Sequence, residues 1–285
     1  MNKYTHQIER IQSKLKKAAT IDKDQQVFGA DRHQYIVNDP VTTDTVTAFE
    51  QKYALQLPDS YKAFILQLGN GGKSFANSAA GPFYGIYPFG EQVDELIYEN
   101  TEVNLKNDCV LHPVMSDSYW ENLIAIAEDD DTSDDVYAAE IGKIFGGILP
   151  IGSQGCSYIH GLVLNGPYTG KVVNISIEMQ KPKFTFEDNF LDWYERWLDE
   201  IISKDLLADT PTWFGYAMGG SEEELLEVFQ STADAAVKAE ALIGLSKKQN
   251  LNNSILDTLQ QAYKNTNEAI SRLILQILEK HEFSI

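Results

Sequence analysis

Apolar residues recur at helical spacing near the start of the chain: Ile8, Ile11, Leu15 and Ala18 stand among Lys and Gln and predict a helix over 3–19. The pattern then loosens from Asp22 to Asn38, where Tyr35-Ile36-Val37 predicts one short strand that stops at the Asp39-Pro40 turn signal. Val46, Phe49 and Tyr53 share a face and predict a helix over 45–54, capped by Thr43 or Asp44 and broken at Leu57-Pro58. Pro58 opens the next helix, striped by Tyr61, Phe64, Ile65 and Leu68, and Gly69 to Gly72 ends it.

Beyond this the period changes. Residues 83–89, aromatic and punctuated by Gly and Pro, predict short strands and turns; 91–106 predict a helix, and 109–114 a turn region. Leu123 to Ala127 reads as a strand opening into the acidic loop Glu128 to Asp131, and 136–144 as strand and turn. A further segment starts at Leu149. Tyr158 to Leu164 and Lys171 to Ile175 predict a hairpin around the turn 165–170. Phe186 to Ser203 forms a strongly amphipathic helix through Phe190, Leu191, Trp193, Tyr194, Trp197, Leu198 and Ile201. After a linker at 206–220, Ser221 with three glutamates makes a capping box. Apolar positions up to Ile277 then predict four short helices, arranged as two HEAT-like pairs or as a plain four-helix unit.

Composition narrows the class. With 43% hydrophobic and 11% aromatic residues the chain can bury a core, and no run of about 18 apolar residues or signal-type stretch occurs, so a soluble cytoplasmic protein is expected. Two cysteines in 285 residues make no disulfide framework, and a reducing compartment fits. The formal net charge of −19 repels nucleic-acid phosphates and attracts basic partners, although it also serves solubility alone. Neither a membrane nor a nucleic acid is expected as partner, and the oligomeric state is left open.

Leu57-Pro58-Asp59-Ser60-Tyr61-Lys62-Ala63-Phe64 followed by Asn70-Gly71-Gly72 resembles the LPxxYxxF…NGG signature of the SUKH superfamily, the Smi/Knr-type domains. Further segments agree in order. Gly81-Pro82-Phe83-Tyr84-Gly85-Ile86-Tyr87-Pro88 is similar to a GPxYGLxP turn, Gly152 to Cys156 to a glycine-rich step, and Leu162 to Gly166-Pro167 with Gly170 to the last hairpin. Phe190 to Leu198, with Trp193, looks like the closing helix. The resemblance covers about residues 43–200 and implies an α+β fold, a twisted antiparallel or mixed sheet with helices mainly on one side, here followed by a small all-α unit. Together with the composition shift after Pro211, it leads to an expected division into an N-terminal helix and connector (1–42), the SUKH-like domain (43–205), a linker (206–220) and a helical unit (221–285) outside the resemblance. It also implies a bacterial immunity protein that binds and neutralises a toxin, in some cases a nuclease, by stoichiometric inhibition. The alternative is a regulatory scaffold, as in some eukaryotic relatives. The signature residues Leu57, Pro58, Tyr61, Phe64, Asn70, Gly71, Gly72, Gly81, Pro82, Tyr84, Gly85, Gly152, Cys156, Gly166, Pro167 and Trp193 are expected to be structural, since turn glycines and helical aromatic stripes build scaffold.

Candidate chemistry is sparse. Cys109-x2-His112 and Cys156-x3-His160 have the ligand types of a zinc site. Cys156 and His160 on one strand would nevertheless stand ~13 Å apart, so Cys156 is expected to pack as a small apolar group and no metal or cofactor is expected. Asp129, Asp131, Asp135 and Glu140 fall at calcium-loop offsets, but Asp134 stands where that loop needs Gly. No GxSxG, GxxxxGK(S/T) or HExxH motif occurs and the five histidines are scattered, so no enzyme is expected. What remains is the acidic cluster Asp117, Glu121, Glu128, Asp129, Asp130, Asp131, Asp134 and Asp135, with Trp120 inside it. It is either a solvated stretch or a patch that docks a toxin's basic surface; Trp120, Phe83, Tyr84, Tyr87 and Trp213 are candidate aromatic anchors, with core burial the other expectation for most of them.

Overall fold

The computed structural model describes residues 3–207 and 214–283, which fall into two compact units, Met1–Ile202 and Ser203–Ile285. No helix among the described residues is long and apolar enough to cross a membrane.

The first unit starts with α1 (Thr5–Ile21), whose buried Ile8, Ile11 and Ala18 face α8 (Phe190–Ile202). Arg10 and Lys14 of α1 reach Glu195 of α8 at 3.0 and 2.9 Å. The connector holds one helical turn, α2 (Ala30–His33). The strand expected at 35–37 does not form, because Gln34 and Tyr35 take left-handed φ values of 50° and 57°. The connector backbone bonds irregularly instead: Asn38 N donates to the Gly71 carbonyl at 2.8 Å, and Ala80 N to that of Ile36 at 2.8 Å. α3 (Thr43–Tyr53) is capped by Thr42 rather than by Thr43 or Asp44, since Thr42 is the last extended residue and its hydroxyl accepts from Thr45 N. α4 (Asp59–Ala63) runs into a π-helical turn (Phe64–Leu68), which together bury Tyr61, Phe64 and Ile65.

Three sequence expectations fail in the next stretch, each for a local reason. The helix expected over 91–106 reduces to α5 (Thr101–Asn104), because Gln92 and Asn100 have φ values of 56° and 53°. The i, i+3, i+4 spacing of Val93, Leu96 and Ile97 serves a loop that dips into the core. The strand expected at 123–127 is the end of α6 (Asp117–Ile124) and the turn that follows it, the helix being capped by Ser116, whose hydroxyl accepts from Tyr119 N. The strand and turn expected at 136–144 is α7 (Asp134–Ile144), with Ala138, Ile141 and Ile144 inward. Short apolar runs fit either period, and the caps decide.

The sheet is antiparallel in the order β1 (Ile148–Gly155), β2 (Tyr158–Val163), β3 (Val172–Ser176), β4 (Lys183–Phe184), so the α+β reading holds. Residues 84–87 pair with the outer edge of β1, Tyr84 N donating to Ser153 O at 3.2 Å and Tyr87 N to Ile151 O at 2.9 Å. Ile148, Ile159, Val163, Val173, Ile175 and Phe184 form one core with Trp120, Ile124, Ile141 and Phe145. The alternate residues, among them His160 and Asn174, point the other way. There α8 (Phe190–Ile202) buries Trp193, Tyr194, Trp197 and Leu198, the Trp193 ring standing 5.0 Å from that of His160. Each such side chain contributes about 1.5–3 kcal/mol on burial.

The second unit contains α9 (Glu222–Ser231), α10 (Ala235–Lys247), α11 (Asn253–Tyr263) and α12 (Glu268–Lys280). The Ser221–Glu224 capping box is present. α9 packs on α10 and α11 on α12; across the pairs α10 lies along α12 and α9 along α11, as in stacked helical hairpins. Leu225, Phe229, Leu242, Leu245, Leu259, Ile274 and Ile277 fill the core. Trp213, a candidate interface anchor in the sequence, lies outside the described residues.

Candidate partner-binding surface

The acidic cluster lies on α6, α7 and the turn that joins them. Asp117 sits in the first turn of α6, paired with Lys181, and Asp134 and Asp135 sit in the first turn of α7. Helix N-termini favour negative charge, so these carboxylates suit their positions by folding alone. The turn is built by its own polar groups: Thr132 N donates to the Asp129 carbonyl at 2.9 Å, Asp131 N to the Asp129 carboxylate at 2.9 Å, and the Thr132 hydroxyl to Ile126 O at 2.6 Å. Asp117, Glu121, Glu128, Asp129, Asp130, Asp131, Asp134 and Asp135 are all exposed. Residues 117–135 contain no Lys or Arg to offset them.

Trp120 belongs to a different environment from its acidic neighbours. Its side chain is 4% exposed, inside the core, and its Nε1 donates to Met179 O at 2.9 Å. The expected anchor is therefore a tether between α6 and the segment before β4, because the i, i+4 pair Trp120 and Ile124 forms the inward stripe of α6. Large apolar side chains that do reach solvent here were not singled out from the sequence: Tyr98 (55% exposed), Ile126 (51%) and Val136 (45%). Partial desolvation raises the Tyr98 hydroxyl above its ordinary value, with smaller contributions from Tyr137, Glu99 and Asp134, which places Tyr98 near the start of α7. The sequence does not show this exposure, because Ile126 and Val136 lie in apolar runs that read as strands.

The zinc candidates scatter. Cys109 is buried, its thiol donating to Leu111 O at 3.7 Å, and burial pushes that thiol up to about 11. Cys156 is exposed, contrary to the expectation of apolar packing, because it occupies the β1–β2 turn with φ 52°. His160 lies at the centre of a buried polar group, its Nδ1 3.1 Å from both Asn174 Oδ1 and Gln154 Nε2, and burial pushes it down to about 3. The His112 ring lies 4.9 Å from that of Tyr119, tilted by 60°. Asp129 spends its carboxylate on Asp131 N, and Glu140 pairs with Lys143. Among the described residues no three His, Cys, Asp or Glu side chains are arranged to hold a metal ion.

The signature residues converge on one framework. The Asn70 side chain accepts from Phe89 N at 2.6 Å, and Leu57, Tyr61 and Phe64 are buried. Gly85 takes φ 91°, and a Cβ there would lie 2.0 Å from Ala79 O. A Cβ on Gly152 would lie 2.3 Å from Gly85 O, so the signature turn and β1 meet at two glycines. Phe83 and Tyr84 are half-buried, both edge-on to the exposed Phe28.

A family model described as the SMI1 / KNR4 family (SUKH-1) matches residues 40–196. No curated protein and no solved structure matches the chain.

Proposed function

The chain belongs to the SMI1 / KNR4 family (SUKH-1), and on that premise we propose that it is an immunity protein that binds a bacterial toxin and neutralises it by occupying its surface, without chemistry of its own. The observation that carries this reading is the α6–α7 surface: eight exposed carboxylates, of which Asp117 pairs with Lys181, on a stretch (117–135) that has no Lys or Arg of its own, beside exposed Tyr98, Ile126 and Val136. A face of that make-up suits a toxin with a basic binding surface, since charge sets the encounter rate and the apolar groups resist dissociation.

The test pairs the protein with the toxin domain encoded by a neighbouring reading frame. A stoichiometric complex is expected, with protection of cells that co-express the two. Association should slow about tenfold or more between ~50 and ~500 mM salt. Replacing Asp129, Asp130 and Asp131 by Asn should remove most of that salt dependence. Absence of both binding and protection sinks the reading. The stacked hairpins of the second unit favour a second reading, a regulatory scaffold that holds a partner along α10 and α12. Binding there would respond little to salt and would survive the three Asp substitutions.

A further inference from the structure

Between Gly90 and α5 the chain makes an irregular loop held down by the buried side chains of Val93, Leu96 and Ile97. Glu95 is turned inward among them. The Tyr87 hydroxyl donates to its Oε1 at 2.9 Å, while its Oε2 is buried with no hydrogen-bond partner among the described residues. An ionised carboxylate can accept several hydrogen bonds, and a buried oxygen without one loses its hydration uncompensated. The protonated form forfeits far less. The titratable groups that act on Glu95 are Tyr87, from the signature turn, and Asp94 on its own segment; the Ser153 side chain of β1 engages Tyr87 in turn.

The same loop forms one wall of an open cleft of about 500 Å³, lined by Gln92, Val93, Asp94 and Asn100 opposite Lys52 and Tyr53 of α3. Lys52 and Glu102, 3.6 Å apart, are the ion pair at this cleft. Gln92 and Asn100, on either side of Glu95, are non-glycine residues in the left-handed region, at φ 56° and 53°. Such residues store strain that a change of loop position can release, and they mark where the loop can hinge.

We propose that Glu95 is a proton-operated catch: protonated, it keeps residues 92–100 seated beside Tyr87, and ionised, it moves toward water, turns the loop about Gln92 and Asn100, and widens the cleft at Lys52. Burial raises the Glu95 carboxyl above its ordinary value, the Tyr87 hydrogen bond lowers it, and Asp94 raises it further. A raised value means that the seated form holds its proton more tightly than the open form. Seating is therefore strongest at low pH and is lost as pH rises through the seated-state value.

Hydrogen exchange of the full chain tests this, with protection corrected for the intrinsic rate at each pH. Protection of residues 92–100 should fall by at most about tenfold per pH unit over the Glu95 titration, the limit for one proton. Glu95→Gln, which cannot ionise, should remove the pH dependence. Should that variant fail to fold, carboxyl ¹³C titration of Tyr87→Phe against the parent serves instead. Loss of the Tyr87 donor, whose hydrogen bond lowers the Glu95 value, should move its midpoint upward. A wild-type Glu95 midpoint at or below the ordinary glutamate value overturns the proposal. So does pH-independent protection in the wild type, or a pH dependence that survives in Glu95→Gln.

Discussion

His33 and His160 are both fully buried, and burial pushes them down to about 4 and about 3. His33 accepts from Tyr35 N through Nδ1 at 3.1 Å and lies edge-on to Tyr35 and Trp197. Its folded value lies below the unfolded value of about 6.5, so the unfolded chain binds the extra proton. The resulting stability is present in full above pH ~6.5 and is lost as pH falls toward 4, roughly 3 kcal/mol for His33 alone. His33→Asn, which keeps an acceptor but cannot titrate, should flatten the pH slope of urea unfolding between pH 6.5 and 4 by about one proton. Tryptophan fluorescence reports it, since Trp120, Trp193 and Trp197 lie in this unit. An unchanged slope would show that His33 titrates normally. Glu95, with a raised value, works in the opposite direction as pH rises. None of this was legible in the sequence, where five scattered histidines gave no sign of which would lose water.

At the scale of elements, long periodic segments were legible: α1, α3, α8 and the four helices of the second unit match their apolar spacing, and the β2–β3 hairpin matches its Gly-rich turn. The misread elements are short. Leu123 to Ala127 carries a strand-like run, yet Ser116 caps a helix that reaches Ile124. Removing that cap with Ser116→Ala should cost about 1 kcal/mol and fray the first turn of α6, including Asp117. Faster amide exchange at Tyr119, whose N–H bonds to Ser116, would report it. The acidic residues could be read directly, because charge is local to a side chain. Their neighbours could not. Trp120 looks like an anchor until its face of α6 is known, and Tyr98 acquires its place near α7 only through the fold.

For the whole molecule, 42 acidic against 23 basic residues oppose compaction through mutual repulsion. Screening should relieve it: melting temperature should rise as NaCl increases from ~10 to ~200 mM, a change that scanning calorimetry detects. A melting point that is flat or falls with salt would mean that the paired charges, such as Arg196 with Glu187 and Glu200, outweigh the unpaired ones. The family and the α+β class were determined by the sequence alone, because a proline corner, an NGG stop and ordered glycines are local patterns that survive reading in one dimension. So were the net charge and the run of carboxylates at 117–135. Tertiary structure alone decided that Trp120 is a tether, that Cys156 is exposed, that His160 is buried among amides, and that one oxygen of Glu95 has no donor among the described residues. Burial and desolvation depend on which surfaces meet, and residues far apart in sequence, such as Gly85 and Gly152, settle that only when they touch.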